Sequence, residues 1–241
     1  MIKNSFECHI NNHKEKSKRF SYYEYKYLIR HEYLTQIKHI LDNTCGGIDP
    51  YPSGIVDSIY YDTLNENLFE QCLNGEYYKC KFRIRGYGDG FYGQAQLKIK
   101  KMSSVTKYKA AIDKVTGEQN RFPFWESLTP SEQHSTGFEM INYIGQRYGS
   151  LTPSIRVKYF RYRYRLYDYR ITLDTNIEVF LPTNGLPGKL NYASLPYHVL
   201  ELKTLETRPN LPFVGLIKLH QISCSKFMLG NMMLNNNSIV Q

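Results

Sequence analysis

A heptapeptide in the first half of the chain alternates strictly between cationic and apolar residues. It runs Lys-Cys-Lys-Phe-Arg-Ile-Arg from Lys79 to Arg85. Because the side chains of a β-strand point alternately to opposite faces, this pattern predicts a strand with Lys79, Lys81, Arg83 and Arg85 on one face. The cationic face suits either solvent or a negatively charged ligand, and a single strand of this kind favours the two interpretations equally.

Similar alternation recurs along the chain. The next two strand-like stretches place Lys98 with Lys100 and Lys107 with Lys109 on one face each. A repeated basic face is typical of a sheet that meets anions rather than of one solvated strand. The repetition therefore favours an anionic ligand.

The longest predicted strand, residues 155–166, breaks this regularity. Strict alternation places Arg156 and Lys158 on one face of this strand and Arg161 on the other. A β-bulge adds one residue to a strand and reverses the alternation beyond it. We therefore expect a bulge near residues 159–160 that brings these cations to one face.

Period-two and helical patterns alternate along the chain. Strands are predicted over residues 22–30, 55–62, 79–85, 94–101, 106–113, 155–166, 170–174 and 197–203. Helices are predicted over residues 31–43, 65–73, 122–148 and 222–233. About eight mostly antiparallel strands can close into a barrel whose lumen is lined by one face of every strand. The predicted fold class is α+β, an antiparallel eight-stranded β-barrel with helices packed outside.

Composition limits the domain organisation and the partners. The 241 residues are 41% hydrophobic and carry a net charge of +9, which predicts one domain with an anionic partner. We expect a flexible basic leader over residues 1–20, the domain over 21–234 and a polar tail over 235–241. There is no apolar run of the ~18 residues that a membrane span needs and no signal peptide, so we expect a cytoplasmic protein without membrane insertion.

The aromatic residues indicate which anion is bound. Tyr23, Tyr25 and Phe82 lie opposite the cations of their strands, whereas sheets that bind nucleic acid place rings and cations on the same face. A chain of phosphates therefore fits better than a nucleic acid. Three acidic residues share the cationic faces, Glu24, Asp174 and Glu201, and each is either an ion-pair partner or a ligand for a divalent metal.

Several motifs together resemble the VTC (vacuolar transporter chaperone) domain. They are Tyr23-Glu-Tyr-Lys-Tyr27, Phe82-Arg-Ile-Arg-Gly-Tyr87, Leu97-Lys-Ile-Lys100, Lys107-Tyr-Lys109, Tyr159-Phe-Arg161, Arg170-Ile-Thr-Leu-Asp174, Val199-Leu-Glu-Leu-Lys203 and Ser225-Lys-Phe227. Their order and spacing match the family from residue 20 to about residue 230. The resemblance implies a triphosphate tunnel metalloenzyme related to CYTH proteins, of the bacterial stand-alone type. Fungal members polymerise the γ-phosphate of ATP into inorganic polyphosphate.

The resemblance also implies roles for individual residues. The phosphate ligands of the reacting groups would be Lys26, Arg83, Arg85, Lys100, Lys107, Arg161, Arg170 and Lys226. Further substrate-binding cations on the same faces would be Lys81, Lys98, Lys109 and Lys203. Glu201, with Glu24, would bind Mn²⁺ or Mg²⁺. For Lys226, in a helical stretch, a solvated lysine remains an alternative.

Two departures from the family pattern affect the expected chemistry. Lys98 stands where the family usually has an acidic residue, which would weaken metal binding or tighten product binding. Tyr22 replaces the first acid of the Glu-x-Glu-x-Lys motif of CYTH proteins and leaves only Glu24 and Lys26. This second departure argues against an adenylyl cyclase or a thiamine triphosphatase.

The sequence therefore predicts a metal-dependent polyphosphate polymerase, a phosphotransferase whose partners are ATP and inorganic polyphosphate. A tripolyphosphatase or nucleoside triphosphatase in the same tunnel is one alternative, with water as the acceptor. A non-catalytic polyphosphate-binding module is another. The sequence does not identify any protein partners.

Overall fold

The computed structural model describes residues 23–45, 49–88, 91–102, 104–116, 136–181, 192–209, 211, 219–222 and 225–239. The strands are β1 Tyr23–Arg30, β2 Ser53–Asp62, β3 Tyr78–Tyr87, β4 Phe91–Lys101, β5 Ser104–Thr116, β6 Thr152–Leu166, β7 Tyr169–Phe180, β8 Tyr192–Ser194, β9 Tyr197–Thr204 and β10 His220–Gln221. The helices are α1 Leu34–Thr44, which follows a 3₁₀ turn at His31–Tyr33, then α2 Asn67–Leu73, α3 Thr136–Tyr148 and α4 Lys226–Ile239. The predicted leader at residues 1–20 and the first part of the predicted helix at 122–148 lie outside the described residues.

The strands form one antiparallel sheet in the order β10-β1-β9-β7-β6-β2-β3-β4-β5, with β8 paired to β7. The predicted eight-stranded barrel is wrong in strand number and in closure, because within the described ranges no ladder joins β5 to β1 or β10. The outer edge of β1 bonds instead to β10, where Tyr27 pairs with Gln221, and the Ile222 amide donates to the Lys26 carbonyl at 2.8 Å. The sheet is nevertheless strongly curved, since Lys98 of β4 reaches the Glu24 carboxylate of β1 at 3.6 Å.

The outer, convex face of the sheet packs under two helices. Helix α1 repeats its apolar residues at helical spacing and buries Ile37 and Leu41 in a cluster with Leu200 of β9. Helix α3 buries Ile141 in a second cluster with Phe82 of β3. These two helices confirm the prediction of helices outside the sheet.

Helix α4 does not follow that prediction, because it packs on the inner face. Phe227 stacks on Tyr60 of β2 with ring centroids 5.1 Å apart, and both belong to an apolar cluster with Val157 and Val199. Gly230 allows this approach, since a Cβ atom there would lie 2.9 Å from Val179 Cγ1. The helix continues to Ile239, past the predicted boundary at residue 234. It covers the end of the inner face where β6 begins.

The bulge predicted in β6 lies in the neighbouring strand. The ladder between β2 and β6 runs without a shift from Ser53–Tyr162 to Tyr60–Ile155, so β6 gains no residue there. Instead, β7 has an extra residue opposite this point, and Asn176 adopts a left-handed φ of 49°. Arg156 and Arg161 therefore lie on opposite faces of β6, which contradicts the expectation of one shared face.

No helix within the described ranges combines the length and the apolar composition needed to cross a membrane.

Candidate functional site

The inner face of the curved sheet brings most of the predicted site residues together. Directly paired residues of an antiparallel sheet share a face, and the pairs Lys81–Lys98, Arg161–Asp174 and Lys26–Glu201 connect this face across the strands. Its buried or half-buried cations include Lys26, Lys81, Arg83, Arg85, Lys98, Arg161, Lys203 and Lys226. Glu24, Asp174 and Glu201 lie among them, so cations outnumber carboxylates.

The carboxylates belong to one side of this face, which we call the mixed-charge wall and which consists of β1, β9, β7 and the second half of β6. Glu24 forms an ion pair with Lys26, and Glu201 with Lys203 at 2.7 Å. Asp174 is fully buried and accepts from Arg161 at 2.6 Å and from Lys226 at 2.5 Å. In this wall each carboxylate balances at least one cation.

These three carboxyl groups remain ionised despite their burial. Burial alone would raise each pKa, because it disfavours the charged form. The neighbouring cations outweigh this effect: Lys203 and Lys26 hold the pKa of Glu201 well below its usual value, and Lys226 and Arg161 lower that of Asp174. For Glu24, burial and the Glu201 charge are outweighed by Lys26 and Lys98, which lower its pKa to about 2.

The opposite side, which we call the basic wall, consists of β3 and β4. Neither strand contains an acidic residue. Lys79 lies on the inner face of β3 together with three further cations, and these three donate to neutral acceptors. Lys81 donates to Ser225 Oγ at 2.6 Å, Arg83 to Gln96 Oε1 at 2.7 Å and to the Tyr60 hydroxyl at 2.9 Å, and Arg85 to Ser58 Oγ at 2.9 Å and to the Tyr159 hydroxyl at 3.3 Å. Neutral acceptors orient these cations without cancelling their charge.

The charge of the basic wall shifts the proton affinity of its neighbours. Burial raises the pKa of the Tyr60 phenol, but the Arg83 and Arg85 guanidinium groups outweigh burial and lower it to about 8. Burial also lowers the pKa of Lys98 to about 8, against the partial compensation of Glu24. The lowered pKa of Tyr60 indicates a surface where added negative charge is favourable.

Four predicted cations lie on the same face but are exposed. By register, Lys100 lies opposite Lys79, Lys107 opposite Lys98, Lys109 opposite Gln96 and Arg170 opposite Lys203. The structure therefore brings the half-buried cations together and leaves these four at the margins. Lys226, the helical residue, is the first residue of α4 and is held by Asp174.

The sequence analysis missed the neutral residues that orient the arginines. Tyr60 and Ser58 lie on the inner face of β2, and Tyr159 lies on that of β6. The alternation of the sequence could have indicated them. Ser58 and Tyr60 alternate with Ile59 and so share a face, and Tyr159 lies two residues from Arg161 and so faces the same way. The signal was weak because a hydroxyl side chain fits equally well on a solvated face.

The donor set can be compared with the needs of a divalent metal. Glu24 and Glu201 lie on paired neighbouring strands, and both are ionised. Among the described side chains, no group of three or more His, Cys, Asp or Glu residues is assembled for a metal ion. Mg²⁺ commonly uses one or two carboxylates and completes its shell with substrate phosphates and water. The two glutamates fit such a phosphate-bridged ion, and they do not form an all-protein metal cage.

Comparison with known proteins identifies the family. Residues 21–235 match the VTC domain, and the chain belongs to this family. This membership supports a function related to triphosphate or polyphosphate, in an enzyme that transfers or hydrolyses phosphate. No curated protein matches the chain in sequence.

Solved structures show more distant likenesses. A presumed adenylate cyclase from Bacillus halodurans is 13% identical with a TM-score of 0.47, and the match covers 75% of this chain and 79% of that one. The PH1819 protein from Pyrococcus horikoshii is 15% identical with a TM-score of 0.39, with 77% and 80% covered. Sequence identities and TM-scores this low do not support any conclusion about function.

Proposed function

We propose that this protein is a metal-dependent polyphosphate polymerase that transfers the γ-phosphoryl group of ATP to the end of an inorganic polyphosphate chain. The observation that carries the proposal is the basic wall, where Lys81, Arg83 and Arg85 are oriented by neutral acceptors beside a mixed-charge wall. Guanidinium and ammonium groups held in this way suit the oxygens of several consecutive phosphates. VTC family membership supports the same class of ligand.

Positioning and charge neutralisation are the main catalytic contributions in this proposal. Arg83 and Arg85 would bind phosphate oxygens through their planar donors, while Lys26, Arg161 and Lys226 would approach from the mixed-charge wall. Holding donor and acceptor phosphates on one face reduces the entropic barrier, and preoriented cations stabilise the charge of the transferring group. The reaction needs no covalent enzyme intermediate, because a terminal oxygen of the acceptor chain attacks the γ-phosphorus directly while the bond to the β-phosphate breaks and ADP leaves.

Further side chains would extend the phosphate path. The exposed cations Lys100, Lys107, Lys109 and Arg170 lie at the margins of the inner face, where a chain longer than a triphosphate would reach. Lys98 and Lys203 would contribute to substrate binding nearer the centre.

Glu201 and Glu24 would hold the Mn²⁺ or Mg²⁺ ion. When bound, such an ion would neutralise part of the phosphate charge. Lys26 and Lys203 form ion pairs with these two carboxylates, which keeps the carboxylates on the inner face.

A non-catalytic polyphosphate-binding module is the second candidate, and one contact favours it. Lys98 lies 3.6 Å from Glu24, so a cation already neutralises one of the two candidate metal ligands. If that contact persists with substrate, the face would bind phosphate chains without the ion that the transfer requires.

Incubation of the purified protein with ATP labelled at the γ-phosphate and Mn²⁺, followed by gel separation, tests the proposal. A ladder of labelled chains supports the polymerase. Labelled orthophosphate alone would replace it with a hydrolase, and unchanged ATP despite measurable tripolyphosphate binding would replace it with the binding module.

A further inference from the structure

Tyr87 ends the basic wall and lies on the inner face. It pairs with Val56 of β2 as Arg85 pairs with Ser58, two residues earlier on β3. Its side chain is 51% exposed, whereas Arg85 is only 6% exposed. The wall therefore changes, within two residues, from a buried guanidinium to an open aromatic ring.

The phenol of Tyr87 interacts electrostatically with the arginines of the inner face. Partial burial raises its pKa, but the neighbouring Arg85 guanidinium lowers it overall, and the charges of Arg83 and Arg161 act in the same direction. The register agrees, because Tyr87 lies two residues beyond Arg85 on the same face of β3. The exposed part of the ring is adjacent to the place where phosphates would bind.

The other end of the basic wall is covered. Lys81 donates to Ser225, just before α4, and Tyr60 stacks on Phe227 within that helix. A nucleoside triphosphate whose phosphates contact Arg83 and Arg85 would meet α4 if its nucleoside pointed toward Lys81. In the other direction along β3, away from α4, the wall leads to Tyr87.

A base on this open side would meet the exposed face of the Tyr87 ring, because the residue is half exposed. Aromatic rings accept stacked bases with little sequence preference, since every base has a π-face. The small cavity that Tyr87 also borders is lined by Asp57, Tyr92 and Arg156 of the outer face and is not part of this path.

We propose that Tyr87 is a specificity-determining residue that stacks on the base of the nucleoside triphosphate and so favours ATP over inorganic triphosphate. This inference rests on the proposed function, because it takes the phosphate position from the basic wall. Phosphate affinity would come from the cations, and preference for the nucleotide would come from the ring.

Calorimetric titration of the full chain with ATP and, separately, with inorganic tripolyphosphate tests this assignment. Tyr87→Ala should weaken ATP binding about tenfold, as expected for the loss of one stacked base, and leave tripolyphosphate binding within about twofold. Tyr87→Phe should bind both ligands like the wild type, because the ring remains. Tyr77→Ala is the matched control, since Tyr77 precedes the opposite end of β3 and is 57% exposed.

Equal losses for both ligands in Tyr87→Ala, or no loss for ATP, would overturn the stacking role. Failure of the wild type to bind tripolyphosphate would instead overturn the phosphate site itself, and with it the proposed function.

Discussion

The two walls of the inner face hold similar numbers of cations in different electrostatic surroundings. In the mixed-charge wall, Lys203 and Arg161 are balanced by buried carboxylates. In the basic wall, Arg83 and Arg85 are oriented by hydroxyl and amide groups that carry no charge. The first arrangement is stable without ligand, whereas the second keeps its positive charge available for one. The difference indicates that the basic wall supplies most of the affinity and the mixed-charge wall supplies the carboxylates for a metal.

The strongest test removes both guanidinium groups of the basic wall. Arg83→Ala with Arg85→Ala should weaken tripolyphosphate binding about 100- to 10,000-fold, because hydrogen bonds to charged groups contribute about 1.5–3 kcal/mol each. Calorimetry measures the affinity, and circular dichroism checks the fold. Arg30→Ala with Arg147→Ala removes the same charge from exposed positions and should leave the affinity near that of the wild type. Unchanged affinity in the inner-face double variant would show that phosphate binds elsewhere.

A second test removes the carboxylate that balances two cations of the mixed-charge wall. Asp174→Asn leaves Arg161 and Lys226 without their buried partner and should cost about 3–5 kcal/mol of unfolding free energy. Tripolyphosphate should raise the melting temperature of this variant more than that of the wild type, since the ligand restores negative charge.

The control for that test lies on the outer face. Asp57 is buried and bonded to Arg156 at 2.6 Å, so Asp57→Asn should also destabilise the protein. Tripolyphosphate should not preferentially rescue it. Equal rescue of both variants would show that the ligand acts through general screening rather than through the inner face.

A third test separates binding from turnover within the mixed-charge wall. Glu201→Gln keeps the size of the side chain but removes the charge that a hard divalent ion needs, so Mn²⁺-dependent turnover should fall about 100-fold or more. Tripolyphosphate should still bind, because the basic wall is unchanged. The exposed Glu70→Gln serves as a control. Near-normal turnover in Glu201→Gln would make Glu201 a charge-balancing residue and would direct attention to Glu24 or Asp174.

The smallest expected effect concerns Lys98, whose pKa burial lowers to about 8. As the pH rises from 7 to 9 this lysine loses its proton, so tripolyphosphate affinity should fall by roughly fivefold, about the strength of one screened charge pair. Lys98→Met should flatten this part of the pH profile measured by calorimetry. Lys100→Met, at an exposed neighbouring position, should retain it, and a wild-type profile in Lys98→Met would exclude this lysine as the titrating group.

The sequence predicted best on which face of its strand each side chain lies. The alternation around Lys26, Arg83 and Lys98 placed all three on one face, because side-chain direction in a strand is a local property. VTC family membership was likewise predictable, since its motifs are short and ordered. Whether the sheet closes into a barrel was not predictable. The outer edge of β1 pairs with Gln221, which is almost 200 residues away, and no local sequence pattern specifies such a pairing.

The position of α4 was unpredictable for a related reason. Its apolar residues do not reveal whether they face the outside or the inside of a curved sheet. The position of α4 on the inner face depends on the fit of Gly230 against Val179 and on the ion pair between Lys226 and Asp174. Both contacts join distant parts of the chain. The same holds for the residues that orient Arg83, which only the folded sheet brings within reach.

The extra residue in β7 makes the number of residues in the strand critical at one point. Before the extra residue, Thr172 and Asp174 lie on the inner face. After it, Ile177 and Val179 lie on the same face as part of an apolar cluster. Deletion of Asn176 would restore strict alternation and turn one of these two sets to the wrong face. Natural variants of this strand should therefore show few insertions or deletions at this point, and a comparison of homologous sequences across residues 174–177 would show whether they do.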